Sequence, residues 1–204
     1  MSLLPIFLKL RARRVLVVGG GNVAESKIDS LLLSEAEVYV VAPELNANVA
    51  QLARTGKIVW RRKSFDPRDL DDIFLVIAAT NVPEVNHLVY RLAEERSILC
   101  NAVDDPEHCH FYYGAVVRRG ALQIAISTDG LSPALAQRLR RELEQQFGPE
   151  YEAWLEYLGA MRDLIRASTA DEQSRKEQLH KLVEPAAFAD FVSSQDRVAF
   201  GGSR

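Results

Sequence analysis

The sequence predicts an α/β fold built on a doubly wound parallel sheet, and two observations support this prediction. Apolar strand-like runs alternate with helix-period segments along the first half of the chain, which is typical of parallel strands joined by crossover helices. Residues 74–79 also form a near-continuous apolar run, as expected of a strand buried on both faces of such a sheet. We expect the other strands of this part at residues 15–18, 38–42, 58–62 and 98–103, and helices at residues 23–33, 48–53 and 83–95.

The pattern changes after Asp105. Two further apolar runs, residues 111–117 and 122–127, are joined across residues 118–121 and predict a β-hairpin. Ser132 followed by Pro133 is typical of a helix start, because serine caps helices and proline suits the first helical position. Helical patterns continue at residues 150–166 and 171–191, and residues 201–204 are expected to fray.

Composition excludes several classes of protein. The net charge of −3 over 204 residues gives no support for nucleic-acid binding, which usually needs a strongly basic face. No apolar run approaches the roughly 20 residues of a membrane span. The first residues lack a basic region followed by a long apolar segment, so we expect no secretory signal. The two cysteines, Cys100 and Cys109, make no disulfide framework. We therefore expect a cytoplasmic protein with reduced thiols.

A glycine motif between the first strand and the first helix predicts a Rossmann-like dinucleotide site. Gly19, Gly21 and Ala24 have the G-x-G-x-x-A form, in which the glycines allow a tight turn and close approach of a pyrophosphate. The free N–H groups at the start of the helix would then hold the phosphates. The alternative is a turn that serves packing alone.

The cofactor is expected to be NAD rather than NADP. An NAD site usually has an acid at the end of the second strand, and here Pro43 and Glu44 follow that strand with no arginine nearby. Thr80 ends the fourth strand after two alanines, which leaves room for the nicotinamide or a ribose. Small residues there would equally suit helix packing.

Asp104 is the candidate general base. It follows the strand at residues 98–103, at the sheet edge where open α/β folds bind ligands, and partial burial would raise the pKa of its carboxyl. Asp105 follows it, and adjacent residues of an extended chain point to opposite sides, so only one is expected to face the cleft. The alternative for either is a turn-forming aspartate before Pro106.

Two further clusters of side chains could bind a metal ion or an anionic substrate. His108, Cys109 and His110 could suggest a metal site, but no second cluster supplies the remaining ligands, and we predict no metal site. Arg138 belongs to a basic run that is either a solvated helix face or a contact for an anionic substrate. The motifs of short-chain dehydrogenases, α/β-hydrolases and P-loop proteins are absent from the sequence.

With these residues in hand, the chain resembles the precorrin-2 dehydrogenase and sirohydrochlorin ferrochelatase family, the N-terminal module of siroheme synthase. The resemblance covers roughly residues 1–165 and rests on several motifs in the same order. They are residues 4–7, residues 17–25 with Lys27, residues 77–80 with Asn86, residues 100–104, and residues 126–130 with Ser132 and Pro133.

The resemblance implies an architecture and an activity. It implies an NAD-binding domain at residues 1–112, a dimerisation segment at 113–147 that pairs two copies of the chain, and a helical domain at 148–204. NAD would accept a hydride from the tetrapyrrole precorrin-2 to give sirohydrochlorin, and some members then insert Fe²⁺ to make siroheme. Asp104 matches the aspartate essential to both steps. Gly21, Asn22 and Val23 match the pyrophosphate contacts, and Pro43 and Glu44 match the second cofactor segment.

The substrate contacts are the least specific part of the resemblance. Thr128 and Arg138 are the expected contacts, whereas Asp129 and Leu131 depart from the family's usual glycine and basic residue. A separate uroporphyrinogen methyltransferase would supply precorrin-2. Three alternatives stay open: an NAD-sensing regulatory module without turnover, a dehydrogenase that relies on a separate chelatase, and an oxidoreductase for another anionic substrate.

Overall fold

A computed structural model describes residues 3–201, which divide into two compact units between residues 113 and 114. The first unit contains a five-stranded parallel sheet with the strand order β3-β2-β1-β4-β5. This confirms the doubly wound fold. The last three strands are slightly shorter than predicted, the first is one residue longer, and the second has the predicted length but begins one residue earlier. The strands are β1 (Arg14–Val18), β2 (Glu37–Val41), β3 (Val59–Arg61), β4 (Leu75–Ala78) and β5 (Leu99–Ala102).

Helices cover both faces of this sheet. They are α1 (Asn22–Leu33), α2 (Ala47–Arg54) and α3 (Pro83–Glu95), with 3-10 turns at Pro67–Leu70 and Pro106–His108. Because side chains alternate along a strand, Val15 and Val17 of β1 pack on the side of α1 and α2, whereas Leu16 and Val18 pack on the side of α3. Both faces of β1 are therefore buried, which explains its continuous apolar sequence.

The strand order creates a crevice between β1 and β4. The chain runs outward from β1 to β2 and β3, then crosses back to β4, which pairs with β1 on its other edge. The connections therefore leave the carboxyl ends of β1 and β4 in opposite directions. Open α/β sheets bind ligands at this topological switch point.

The second unit begins with an antiparallel hairpin of β6 (Ala115–Arg119) and β7 (Leu122–Ile126). The prediction of a strand over residues 111–117 was wrong at both ends, because residues 111–114 are irregular and β6 extends to Arg119. The side-chain amide of Asn101 donates to the Phe111 carbonyl at 2.8 Å, so a side chain rather than a strand ladder holds the start of this segment. A two-residue turn with Gly120 at φ +54° then closes the hairpin.

Four helices complete the second unit: α4 (Pro133–Gln146), α5 (Glu150–Ser168), α6 (Glu172–Leu182) and α7 (Pro185–Gly201). The predicted cap of α4 is confirmed, since the Ser132 hydroxyl oxygen accepts from the Leu135 N–H. At the other end of α4, the Arg119 guanidinium donates to the carbonyls of Glu144 and Phe147 at 2.9 and 2.8 Å.

The helical segment expected over residues 171–191 is interrupted. The chain leaves the helix at residues 183 and 184 because Pro185 disfavours helical backbone in the residue before it. Of the tail expected to fray, Gly201 ends α7 and residues 202–204 lie outside the described residues. Within residues 3–201, no helix combines the length and the apolar character that a membrane crossing requires.

Candidate active site

A cleft of about 820 Å³ opens at the carboxyl ends of β1, β2 and β4 in the first unit. Its wall is formed by the glycine loop after β1, the segment after β2 and the turn after β4. Every residue predicted to bind the cofactor lies on this wall: Gly19, Gly21, Asn22, Val23, Pro43, Glu44 and Thr80. Asp104 is not among the lining residues.

Two glycines of the loop are required by the fold itself. Gly19 has φ +123°, and a Cβ there would lie 2.3 Å from the carbonyl oxygen of Ala79. A Cβ on Gly20 would lie 2.4 Å from the carbonyl oxygen of Glu44. These contacts bring the loops after β1, β2 and β4 together, so both glycines shape the cleft whether or not a ligand is bound.

Gly21 has no such structural requirement. Its φ of −90° suits any residue, and a Cβ there would meet no protein atom within 4 Å. Gly21 is also the N-cap of α1 and makes no side-chain cap, so the first N–H groups of the helix are open to a ligand. The positive end of the α1 dipole and these donors favour an anion such as a pyrophosphate. The missing side chain leaves room for a ligand to approach these N–H groups.

A polar network fixes the segment after β2 against the glycine loop. The Asn46 N–H donates to the Gly20 carbonyl at 2.8 Å, and its side-chain amide donates to Glu25 at 2.6 Å. The Asn48 amide donates to the other oxygen of Glu25 at 2.7 Å. The Asn46 side-chain oxygen also caps α2 by accepting from the Val49 N–H at 2.9 Å. Its links to Gly20 and Glu25 span more than 20 residues, so no local pattern predicts them.

The turn after β4 is held by Asn86, a buried residue of α3. The Asn86 side-chain oxygen accepts from the Thr80 hydroxyl at 2.8 Å and from the Thr80 N–H at 3.2 Å. Its amide donates back to the Thr80 carbonyl at 3.0 Å. Thr80 thus lines the cleft with its hydroxyl already engaged, and Asn86 is the residue that orients it.

The charge of the cleft wall bears on the choice of cofactor. Glu44 is exposed and follows β2 by three residues. Among the described residues that line the cleft there is no lysine or arginine. A 2′-phosphate would therefore meet a carboxylate and no cation on this wall, whereas a ribose hydroxyl could donate to the carboxylate.

Asp104 lies beyond β5, in a turn where its φ is +61°. Its side chain is exposed, so the burial that the sequence argument expected for this carboxyl is not present. Asp104 is close enough to Lys27 of α1 for the two charges to interact. Burial lowers the pKa of Lys27, while the negative charge of Asp104 opposes that shift.

Lys27 is a site residue that the sequence analysis noted only as part of a motif. Its ammonium group lies 4.1 Å from the centre of the Tyr113 ring, a cation–π distance. Lys27 lies on α1 one turn after Val23. No local sequence pattern indicates that Asp104, which is 77 residues further along the chain, lies near it. Lys27 thus contacts Tyr113 and feels the charge of Asp104, and only the tertiary structure brings these groups near one another.

Asp105 contacts two histidines. Its Oδ2 lies 2.8 Å from His87 Nε2 on α3 and 2.8 Å from His108 Nδ1 in the following 3-10 turn. The hydrogen bond with His108, followed by that with His87, lowers the pKa of Asp105 although burial opposes the shift. The two aspartates thus have different neighbours, but neither is among the residues that line the cleft, where one of them was expected.

His110 and Cys109, which the sequence places beside His108, are hydrogen-bonded to other parts of the protein. The Cys100 N–H donates to His110 Nδ1 at 3.0 Å, so the proton of that ring is on Nε2, which lies 2.6 Å from Glu94. The Cys109 thiol lies within hydrogen-bond distance of the Ala102 and Asp105 carbonyls. Burial raises the pKa of Cys100 to about 12, which fits an unreactive thiol.

The predicted substrate contacts belong to the second unit. The Thr128 hydroxyl oxygen accepts from the Ser132 N–H at 3.2 Å, which closes the turn before α4. Within this turn Asp129 has φ +51°. Arg138 is an exposed residue of α4 whose guanidinium lies 3.2 Å from Glu142, one turn further along the helix.

The fold and the cleft define a Rossmann-like dinucleotide-binding protein. A switch-point crevice, a glycine turn and an open helix N-terminus together meet the requirements of that class. The chain belongs to the family described as putative NAD(P)-binding, whose model matches residues 6–115. A second model, described as sirohaem biosynthesis protein central, matches residues 119–146.

Known proteins support the same relationship. The chain is 40% identical to siroheme synthase 3 of Aeromonas hydrophila subsp. hydrophila over 183 residues, which cover 90% of this chain and 39% of that protein. It is 40% identical to siroheme synthase 1 of Pectobacterium atrosepticum over 194 residues, which cover 95% and 40%. The chain thus spans about two fifths of the length of these relatives. Among solved structures it resembles SirC, a precorrin-2 dehydrogenase, with 28% identity, a TM-score of 0.83 and coverage of 97% of this chain and 98% of that one.

Proposed function

We propose that this chain oxidises precorrin-2 to sirohydrochlorin with NAD as the hydride acceptor. The observation that carries the proposal is the likeness to a precorrin-2 dehydrogenase over almost the whole of both chains. The dinucleotide cleft supports it, because the helix N-terminus at Gly21 is open and suits a pyrophosphate. Bound NAD would supply the oxidising power, and the residues of the chain would bind the reactants and remove a proton.

The chain's own residues fit NAD. The open N–H groups at the start of α1, beside Gly21, Asn22 and Val23, would hold the pyrophosphate. Pro43 and Glu44 would flank the adenosine ribose, with the Glu44 carboxylate accepting from its hydroxyls. Thr80 would border the nicotinamide half, in a turn that Asn86 keeps rigid.

Asp104 would act as the base that removes the substrate proton as the hydride leaves. A base must be accessible to the proton that it removes, and the exposed side chain of Asp104 meets this condition. The positive charge of Lys27 would face the same substrate region as Asp104. Thr128 and Arg138 would contact the acidic tetrapyrrole, for whose carboxylates arginine is well suited.

The decisive experiment is an anaerobic incubation with precorrin-2 and NAD that follows NADH formation. We expect NADH with the wild-type chain and none above background with Asp104→Asn, while both proteins bind NAD equally. Loss of NAD binding in Asp104→Asn would contradict the assignment of this residue as a base. Tight NAD binding by the wild type without NADH would instead favour an NAD-sensing module, and turnover of another anionic substrate would favour a different oxidoreductase.

Iron insertion into sirohydrochlorin is a second candidate activity, supported by the relatives named siroheme synthase. We propose that Fe²⁺ is a substrate and that Asp104 accepts protons released by the macrocycle nitrogens. Incubation of the chain with sirohydrochlorin and Fe²⁺ should yield siroheme faster than the uncatalysed reaction. An unchanged rate would limit the chain to dehydrogenation, with a separate chelatase.

The proposed setting of this activity is a homodimer in the cytoplasm, paired through residues 113–147. A separate uroporphyrinogen methyltransferase would make the precorrin-2. The match of residues 119–146 to the sirohaem biosynthesis central family supports a dedicated role for this segment. Light scattering should give twice the chain mass of 22.8 kDa, and a stable monomer at assay concentration would contradict the dimer.

A further inference from the structure

Three side chains of the types that can bind a metal ion converge on the α3 side of the sheet, apart from the dinucleotide cleft. They are His87, Asp105 and His108, whose potential ligand atoms all lie within 4.8 Å of one another. Asp105 Oδ2 lies 2.8 Å from both His87 Nε2 and His108 Nδ1. A cation that replaces the shared hydrogen-bond protons could contact all three atoms.

The fold holds both imidazoles in place before any ion binds. His87 lies in the second turn of α3, and His108 ends the 3-10 turn that follows Asp105. Their rings stack with centroids 4.3 Å apart and planes 26° apart, and the edge of Tyr90 packs against His108 at 4.9 Å. Ligands oriented in this way lose little freedom when they bind a cation.

We propose that His87, Asp105 and His108 bind one exchangeable divalent transition-metal ion, of the Fe²⁺, Co²⁺ or Zn²⁺ type. Two imidazoles and one carboxylate are the ligand set that suits such ions, whereas Mg²⁺ and Ca²⁺ prefer oxygen ligands alone. The His87 side chain is 50% exposed and those of Asp105 and His108 are about 30% exposed. Water can therefore fill the open coordination positions and the ion can exchange, unlike in a closed structural site.

This proposal goes beyond the dehydrogenase function and differs from the expectation of no metal site. The sequence argument considered His108 with Cys109 and His110, but His110 is engaged by the Cys100 N–H and Glu94. The missing ligand, His87, comes from another element 21 residues earlier. None of the three ligands lines the cleft, so ion binding should need neither NAD nor a tetrapyrrole.

The test is a Co²⁺ titration of the full chain without a histidine tag, read by visible absorption and equilibrium dialysis in the absence of NAD. We expect one ion per chain, and His87→Ala or Asp105→Asn should weaken binding at least about tenfold. Both variants should fold, because His87 is half exposed on a helix and the second change conserves shape. His180→Ala removes an exposed histidine of α6 and should leave the affinity unchanged.

Circular dichroism should show that each variant is folded before its affinity is compared. The proposal is overturned if the wild type binds no Co²⁺, or if His180→Ala weakens binding as much as His87→Ala. Equal affinity for Mg²⁺ would also overturn it. A chain that binds Co²⁺ but does not oxidise precorrin-2 would contradict the proposed function and leave this site intact.

Discussion

Replacing Gly21 with alanine separates the ligand requirement of the cleft from the requirement of the fold. The new Cβ would meet no protein atom within 4 Å, and the φ of −90° is ordinary for alanine. We therefore expect the folded protein to lose no more than about 1 kcal/mol, since alanine is a poorer N-cap than glycine but restricts the unfolded chain. The Cβ would, however, occupy the space through which a pyrophosphate approaches the N–H groups of α1.

The expected loss of NAD affinity follows from the hydrogen bonds that the methyl group blocks. A hydrogen bond to a charged group contributes about 1.5–3 kcal/mol. Loss of one such bond would weaken NAD binding roughly 10- to 150-fold, because each 1.4 kcal/mol is about a tenfold change. Isothermal titration calorimetry with NAD measures the affinity, and thermal unfolding of the same samples measures stability.

Gly159→Ala is the matched control. Gly159 lies in α5, and a Cβ there also meets nothing within 4 Å. This change should stabilise the helix by roughly 0.5–1 kcal/mol and leave the NAD affinity unchanged. If Gly21→Ala binds NAD as tightly as the wild type, the reasoning about the open glycine is refuted, and if it unfolds the protein, the claim that the fold does not need this glycine is wrong.

Three further predictions concern the fold and cofactor choice. Gly19→Ala should destabilise the protein by at least about 1–2 kcal/mol, because its φ is +123° and the Cβ would collide with backbone, and denaturant unfolding measures this. Glu44→Gln should raise the affinity for NADP relative to NAD about tenfold, since it removes a charge that repels the 2′-phosphate; an unchanged ratio in paired titrations would exclude Glu44 from the ribose site. Asp69 is buried and bonded to Arg61 and Lys63 at 3.0 and 2.8 Å, so Asp69→Asn should cost about 1–3 kcal/mol at neutral pH. Burial raises the pKa of Asp69, but the bonds from Lys63, the Asp66 backbone and Arg61 lower it below the ordinary value of 3.8. The ionised Asp69 carboxylate therefore stabilises the fold fully above pH 3.8, and this stabilisation is lost as the pH falls through the folded-state pKa. Urea unfolding at neutral and acid pH should show that the free energy of unfolding decreases less for Asp69→Asn than for the wild type.

The first unit was largely predictable because its elements carry their own local patterns. Strands β1 and β4 are buried on both faces, and burial on both faces requires continuous apolar runs. The second unit was predicted less well at its boundaries. Residues 111–113 have strand-like side chains, but the Asn101 amide holds this segment and no partner strand pairs with it. The break before Pro185 follows from the restriction that proline imposes on the residue before it.

The amino-acid sequence by itself determined the alternation of strands and helices, the glycine loop and seven of the residues that line the cleft. These features depend on burial period and backbone freedom, which neighbouring residues along the chain specify. Only the tertiary structure decided that Lys27 contacts Tyr113 while Asp105 contacts His87 and His108, and that Asn86 orients Thr80. Each of these contacts joins side chains from different elements, and their proximity depends on strand order and helix packing rather than on any local pattern.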